Sequence, residues 1–215
     1  MLNFVDVEKS YGSRQILSIP GGGLDPGIYW LQGANGAGKT TLLRMISGLI
    51  PFKGDLVLDG HSLTKSPVHY RRAVSWADAE PRYPGFLTGE DLLAFYLSVR
   101  KSSRQASEQL LSAFAMTSYI DTRIGSWSDG MTKKLSLVLA LMGHPTLIVL
   151  DELLVTLDAG SVNILYQLIQ DRLVTGCSFL FTSHQDVDTQ RLPLTKKLLI
   201  RDQMLEMPTT HEPVV

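Results

Sequence analysis

Two short stretches carry residue types that could do chemistry. The first, GANGAGKT at residues 33–40, has the spacing G-x-x-x-x-G-K-[ST]. It directly follows the apolar IYWLQ and opens KTTLLRMI, so a strand feeds a glycine-rich loop and the loop opens a helix. Gly33, Gly36 and Gly38 let the backbone bend until successive N–H groups, those of Ala34, Asn35 and Ala37 among them, converge on an anion. The helix N-terminus adds its dipole. Lys39 supplies a cation for the outer phosphates, and Thr40, with Thr41 beside it, places a hydroxyl where it can ligate Mg2+. These residues predict a nucleoside triphosphate site.

The second stretch, LIVLDELLVTLD at residues 147–158, runs four apolar residues into two adjacent carboxylates. A desolvated carboxylate is costly unless something compensates it, so the pair requires a task. Beside a triphosphate, Asp151 can hold Mg2+ through its water shell, opposite Thr40. Glu152, one step further, can orient and deprotonate an attacking water. Phosphoryl transfer to an alcohol does not need this second carboxylate, so the pair favours hydrolysis.

Both stretches require positioning elements. LNFVDVEKSYG alternates like a half-buried strand ending at Gly12, GIYWLQG (27–33) reads as a second strand, and KTTLLRMISGL (39–49) as a helix closed by Gly48. GDLVLDG (54–60) is a further strand, and AVSW leads into a proline-bearing loop. Helical spacing recurs over 88–100, 103–116, 129–143 (after Ser128, a good N-cap) and 160–176. TLIVLD, SFLFTS and KKLLIRD resemble strands covered on both faces. The pattern is α/β at both ends, with a helix-rich middle from about 85 to 142 and a frayed tail at PTTHEPVV.

Bulk composition narrows the function. The chain has 215 residues, 44% hydrophobic and 19% charged, enough for a single domain with a real core. Twenty basic against 21 acidic residues give −1, which argues against a nucleic-acid footprint. The single cysteine, Cys177, sits in the apolar run CSFLFT and reads as a core residue of a reducing compartment. The N-terminus lacks the pattern of a secretory signal, and Gly143-His144-Pro145 breaks the longest apolar region, so no membrane-spanning helix is expected.

Several ordered motifs together resemble the nucleotide-binding subunit of ABC (ATP-binding cassette) transporters. GANGAGKTT is similar to that family's Walker A, LIVLDE to Walker B, and WSDGM (127–131) to its signature sequence, in the S-x-G-M variant of simple exporter-type ATPases. Leu157-Asp158 resembles the D-loop, Thr182-Ser183-His184 the switch histidine, and Tyr11 the aromatic that stacks on adenine. The resemblance implies a P-loop NTPase fold: a RecA-like core with an N-terminal antiparallel β subdomain and an inserted α-helical subdomain. The core would take residues 1–84 and 143–207, the signature-bearing subdomain 85–142, and a flexible tail 208–215. It further implies ATP and Mg2+ as ligands and an ATP-bound homodimer or heterodimer paired head to tail. Ser128 and Gly130 of one subunit would then cover the phosphates held by the other, with His184 holding the water beside Glu152 and Asp158 crossing the interface. Transmembrane permease subunits would be separate chains, placing this one at the cytoplasmic face of the cell membrane.

Three departures from the family pattern stand out. The glutamine of the loop between core and helical subdomain is absent, and its position falls on Ala79 or Glu80; Glu80 would bring a carboxylate within reach of Mg2+. Leu153, Leu154 and Thr156 replace the usual residues before Leu157-Asp158, and Asp129 stands where glycine is frequent. No catalytic group is lost, which implies an active ATPase. Two other functions compete: a regulatory protein that holds ATP with little hydrolysis, and a non-transport ABC ATPase. The absence of a basic extension or a second cassette disfavours the last.

Overall fold

The computed structural model describes residues 1–207; the tail expected at 208–215 lies outside the described residues. A hairpin opens the chain, β1 (Leu2–Tyr11) and β2 (Arg14–Leu24). Leu2, Phe4 and Val7 of β1 are buried, as its alternation predicts. β3 (Ile28–Gly33) feeds α1 (Lys39–Ile46). β4 (Lys53–Leu58) and β5 (His61–Ser62) then complete a four-stranded antiparallel sheet in the order β2-β1-β4-β5. α2 (Pro67–Ala73) leads into β6 (Val74–Ala77). Three helices follow: α3 (Gly89–Arg100), α4 (Arg104–Ala113) and α5 (Asp129–Leu141). β7 (Leu147–Leu150), α6 (Ala159–Val174), β8 (Ser178–Phe181), β9 (Lys196–Arg201) and β10 (Met204–Glu206) return to a sheet.

That second sheet has the order β10-β9-β3-β8-β7-β6, parallel throughout except for the edge pair β10–β9. All four residues of β7 are buried, and the two-residue period divides them between two cores. Leu147 and Val149 join Leu42, Leu43 and Ile46 of α1, and Ile148 and Leu150 join Leu135 of α5 with Leu165 and Ile169 of α6. Burying each such side chain contributes about 1.5–3 kcal/mol, so layers on both faces fix the sheet. This is the α/β architecture expected from the sequence.

Four elements were not evident from the pattern. β2 contains Pro20 and Gly21–Gly23, which weaken a strand signal, but β2 is an edge of its sheet, where proline is tolerated. α2 is only seven residues long, and β5 and β10 have two and three. Such lengths are too short for a periodicity to register. α1 ends three residues before the expected Leu49, with Gly48 at φ 67° in the left-handed turn beyond it.

The consequence for function lies at the carboxyl ends of the parallel strands. β3 ends in the glycine loop, and β8, β7 and β6 stand beside it in order. The register pairs Leu150 with Ala77 on one side and with Phe181 on the other. The residues that follow, Asp78, Asp151 and Thr182, therefore emerge side by side. Ligands of open parallel sheets bind in the crevice outside these ends.

Candidate active site

The loop 33–40 closes on itself. Gly36 has φ 79° and Gly38, the N-cap of α1, has φ 105°, conformations that L side chains rarely adopt. Gly33 is needed for space as well, because a Cβ there would lie 2.9 Å from the Ile200 carbonyl oxygen. Lys39 Nζ donates to the carbonyl oxygens of Gly33 at 2.8 Å and Ala34 at 3.3 Å, so the cation is held at the mouth of its own loop. A cleft of about 500 Å³ opens over this loop, lined by Asn35, Gly36, Gly38, Lys39, Thr40 and Thr41, with Glu152 and His184 on the facing wall. Arg14 and Ile16 of β2 complete it. Tyr11 ends β1 opposite Arg14, half exposed, with Lys9 Nζ 4.6 Å from the centre of its ring.

Thr182, fully buried, organises the carboxylates. Its Oγ1 donates to Asp151 Oδ1 at 2.7 Å and accepts the Glu152 N–H at 2.8 Å. One hydroxyl therefore fixes both the Asp151 carboxylate and the backbone of the next residue. Glu152 adopts φ 49°, a left-handed conformation that turns its side chain off the strand line. Its Oε2 accepts the His184 N–H at 3.0 Å, and its Oε1 lies 3.4 Å from His184 Nε2. Glu152 and His184 thus form a pair that lines the same cleft as the glycine loop.

A second cleft, of about 520 Å³, shares Thr40 with the first and is lined by Asp151, Asp78, Ala79, Glu80, Arg44 and Arg82. Asp78 is partly covered and ion-paired to Arg44 of α1 at 3.4 Å. Glu80 is mostly exposed and reaches Arg82 at 3.9 Å. The donor set suits Mg2+, which characteristically takes one or two carboxylates, water and phosphate oxygens. Thr40 and Asp151 face one cleft, and among the described residues no three His, Cys, Asp or Glu side chains converge.

The structure does not bring Ser128 and Gly130 into the loop cleft of their own chain. Ser128 caps α5, its Oγ accepting the Met131 N–H at 3.3 Å. Gly130 packs on the turn 153–156, where a Cβ would sit 2.9 Å from the Thr156 carbonyl oxygen. Asp158 is the N-cap of α6, its carboxylate accepting from the Ser161 N–H at 2.8 Å and paired with Lys134 Nζ at 2.9 Å. The Lys134 ammonium, then the Ser161 donors, hold its carboxyl well below the usual 3.8.

Lys133, beside Lys134, points inward instead. It is fully buried and donates to the carbonyl oxygens of Asp78 at 2.7 Å and Asp151 at 2.9 Å. Burial pushes its ammonium down to about 8, against the pull of the Asp151, Asp78 and Glu152 carboxylates. Sequence reading overlooked Thr182, Arg14, Asp78 and Lys133. For Asp78 a signal existed, since it is the first titratable residue after the strand AVSW. For Lys133 the lysine pair directly before the largely apolar run LSLVLAL was a cue.

A glycine loop between a parallel strand and a helix, with a carboxylate ending a neighbouring strand, defines a P-loop NTPase. Within that class the chain belongs to the ABC transporter family, whose model matches residues 25–155. It is 32% identical over 200 residues to a Nod factor export ATP-binding protein I of Burkholderia thailandensis, covering 89% of this chain and 65% of that relative's length. It is 31% identical over 202 residues to a cytochrome c biogenesis ATP-binding export protein of Legionella pneumophila, covering 91% of this chain and 96% of that one. The fold matches a solved ATP-binding subunit of an ABC transporter with TM-score 0.86 and 23% identity, over 96% of this chain and 88% of the other.

Proposed function

We propose that this chain is the ATP-binding and ATP-hydrolysing subunit of an ABC transporter, energising transport by separate transmembrane permease subunits. The observation that carries the reading is the array Asp151–Thr182–Glu152–His184 set against the phosphate loop. In this reading the amides of residues 33–41 and Lys39 hold the triphosphate, and Tyr11 stacks on the adenine. Thr40 and Asp151, with Glu80 at the rim of the same cleft, hold Mg2+. When bound, the metal would neutralise charge on the outer phosphates. Glu152 takes the proton of the attacking water, and His184 orients that water through the contact it already makes with Glu152.

Ser128 and Gly130 stand at the N-terminus of a 13-residue helix, an electropositive end suited to a phosphate held by a second subunit. Head-to-tail pairing in a homodimer or heterodimer would supply that phosphate, and Asp158 would link the two sites. We assign residues 1–84 and 143–207 to the nucleotide-binding core and 85–142 to the signature-bearing subdomain. Between α2 and α3 lies a groove of about 520 Å³ where Val68, Phe95 and Val99 are exposed among Arg71, Arg72 and Arg100. Apolar residues ringed by cations suit an amphipathic segment with acidic flanks from a permease. We place the chain at the cytoplasmic face of the cell membrane as a peripheral subunit; among the described residues no helix is long and apolar enough to cross a membrane.

Purified protein tests the reading through Mg-ATP binding and phosphate release. Lys39→Ala should abolish binding, and Glu152→Gln should preserve binding, stop hydrolysis and accumulate an ATP-bound dimer. Binding without phosphate release by the wild-type chain, even with its membrane partner, would favour the regulatory reading, which the missing loop glutamine motivates.

A further inference from the structure

A buried ammonium is costly unless its N–H groups find acceptors. Lys133 meets that condition with two backbone carbonyls, those of Asp78 and Asp151, at 2.7 and 2.9 Å. These carbonyls belong to adjacent strand ends, since the Asp151 N–H donates to the Ala77 carbonyl at 2.9 Å. Just beyond them the chain leaves the sheet, on one side into the loop that carries Ala79 and Glu80, on the other into Glu152. Lys133 therefore grips both departures at the point where the ladder stops.

The same helix holds the far end of the second departure. Lys134 reaches Asp158 at 2.9 Å, and Gly130 lies against the Thr156 carbonyl. α5 thus meets segment 151–158 at its start, its turn and its end, and meets residue 78 as well. No apolar side chain could take the central role, because the two carbonyls require a donor between them.

We propose that Lys133 is a positioning residue for hydrolysis: it ties the helix capped by Ser128 to the strand ends bearing Asp78 and Asp151, and so sets where Asp151 and Glu152 stand relative to the phosphate loop. The proposal rests on the hydrolytic reading of that site. Lys133 is buried and lines neither the cleft over the phosphate loop nor the cleft at Thr40 and Asp151, so its effect falls on turnover rather than on binding. Displacing catalytic groups by about 1 Å can cost on the order of 100-fold in rate.

The test compares wild type, Lys133→Met, which keeps the length and removes the donors, and Lys133→Arg, which keeps donors. Mg-ATP affinity, kcat, KM and amide hydrogen exchange over residues 78–82 and 151–158 are measured for each. Lys133→Met should bind Mg-ATP within about threefold of wild type while kcat falls about tenfold or more. Exchange in the two segments should accelerate with the rest of the chain unchanged, and Lys133→Arg should recover most of kcat. Wild-type kcat and exchange in Lys133→Met overturn the proposal, as does exchange raised equally throughout the chain. If Lys133→Met does not fold, Lys133→Gln replaces it, its single amide reaching one carbonyl; wild-type turnover and exchange there overturn the proposal too. A wild-type chain that releases no phosphate refutes the hydrolytic reading, and local exchange alone then decides whether Lys133 positions these strand ends.

Discussion

At the scale of single residues the site depends on a hydroxyl more than on an added charge. Thr182 Oγ1 spends its one proton on Asp151 and its lone pair on the Glu152 N–H, with no water access at that buried point. Thr182→Val keeps the shape and leaves both partners unpaired. It should destabilise the fold by about 1–3 kcal/mol, the cost of stranding buried polar groups. Phosphate release should fall more than nucleotide affinity, because the carboxylates lose their orientation while the phosphate loop is untouched. Thr182→Ser retains the hydroxyl and should recover most of the activity. Equal kcat in Thr182→Val and wild type would show that Asp151 and Glu152 hold their places without it. Glu152 was legible in the sequence because a carboxylate pair ends the apolar run LIVL, and His184 through the resemblance of Thr182-Ser183-His184 to a switch motif. Thr182 was not, because nothing in FTSH distinguishes a bridging threonine from one that merely fills a strand end; the bridge exists only once β7 and β8 are adjacent.

Among the elements, the turn between β7 and α6 carries the strain. Thr156, exposed and β-branched, adopts φ 62°, where L side chains are disfavoured and β-branched ones most of all. Such a conformation costs about 1–3 kcal/mol, part of which a glycine would return as unfolded-chain entropy. Thr156→Gly should therefore stabilise the protein by roughly 0.5–1 kcal/mol, a rise of about 1–4 °C in Tm. A lower Tm would show that the Thr156 side chain makes a contact that outweighs the strain. The sequence marked this turn as altered, at Leu153, Leu154 and Thr156, but not its cause for concern. Burial of Leu153 and Leu154 accounts for the apolar pair, whereas the left-handed backbone becomes visible only in three dimensions. The end of the same turn has a pH signature. The folded pKa of Asp158 is depressed, chiefly by Lys134, so its stabilisation is present above the ordinary value of 3.8 and is lost as the pH falls through the folded value. The side chain is more exposed than buried, so the effect is small. In thermal melts at low salt, the gap between wild type and Asp158→Asn should narrow as the pH is lowered below about 4. A gap that does not change with pH would assign the stabilisation to capping alone.

For the whole molecule, the alternation of strand and helix signals at both ends of the chain was enough to give a sheet covered on both faces. Strand order was not, because it depends on which neighbours share a register, and sequence records only succession. One residue reports on the integrity of the whole assembly. Cys177 is buried just before β8, at the centre of the second sheet, and burial pushes its thiol up to about 12 despite the Arg172 guanidinium nearby. At pH 8 it is both inaccessible and un-ionised, so alkylation should proceed only through molecules that have opened the sheet. In denaturant the same thiol should react at the rate of an ordinary cysteine, with a pKa near 8.5. Mg-ATP that binds only the folded chain lowers the open population by the factor 1 + [L]/Kd, so nucleotide at 100 times its Kd should slow alkylation about 100-fold. Lys39→Ala, which is expected to lose that binding, should show the same alkylation rate with and without nucleotide. Alkylation that is fast in the native protein would show that the end of β8 frays locally. Slow alkylation unaffected by Mg-ATP would show that the thiol is reached by an opening that leaves the phosphate loop intact.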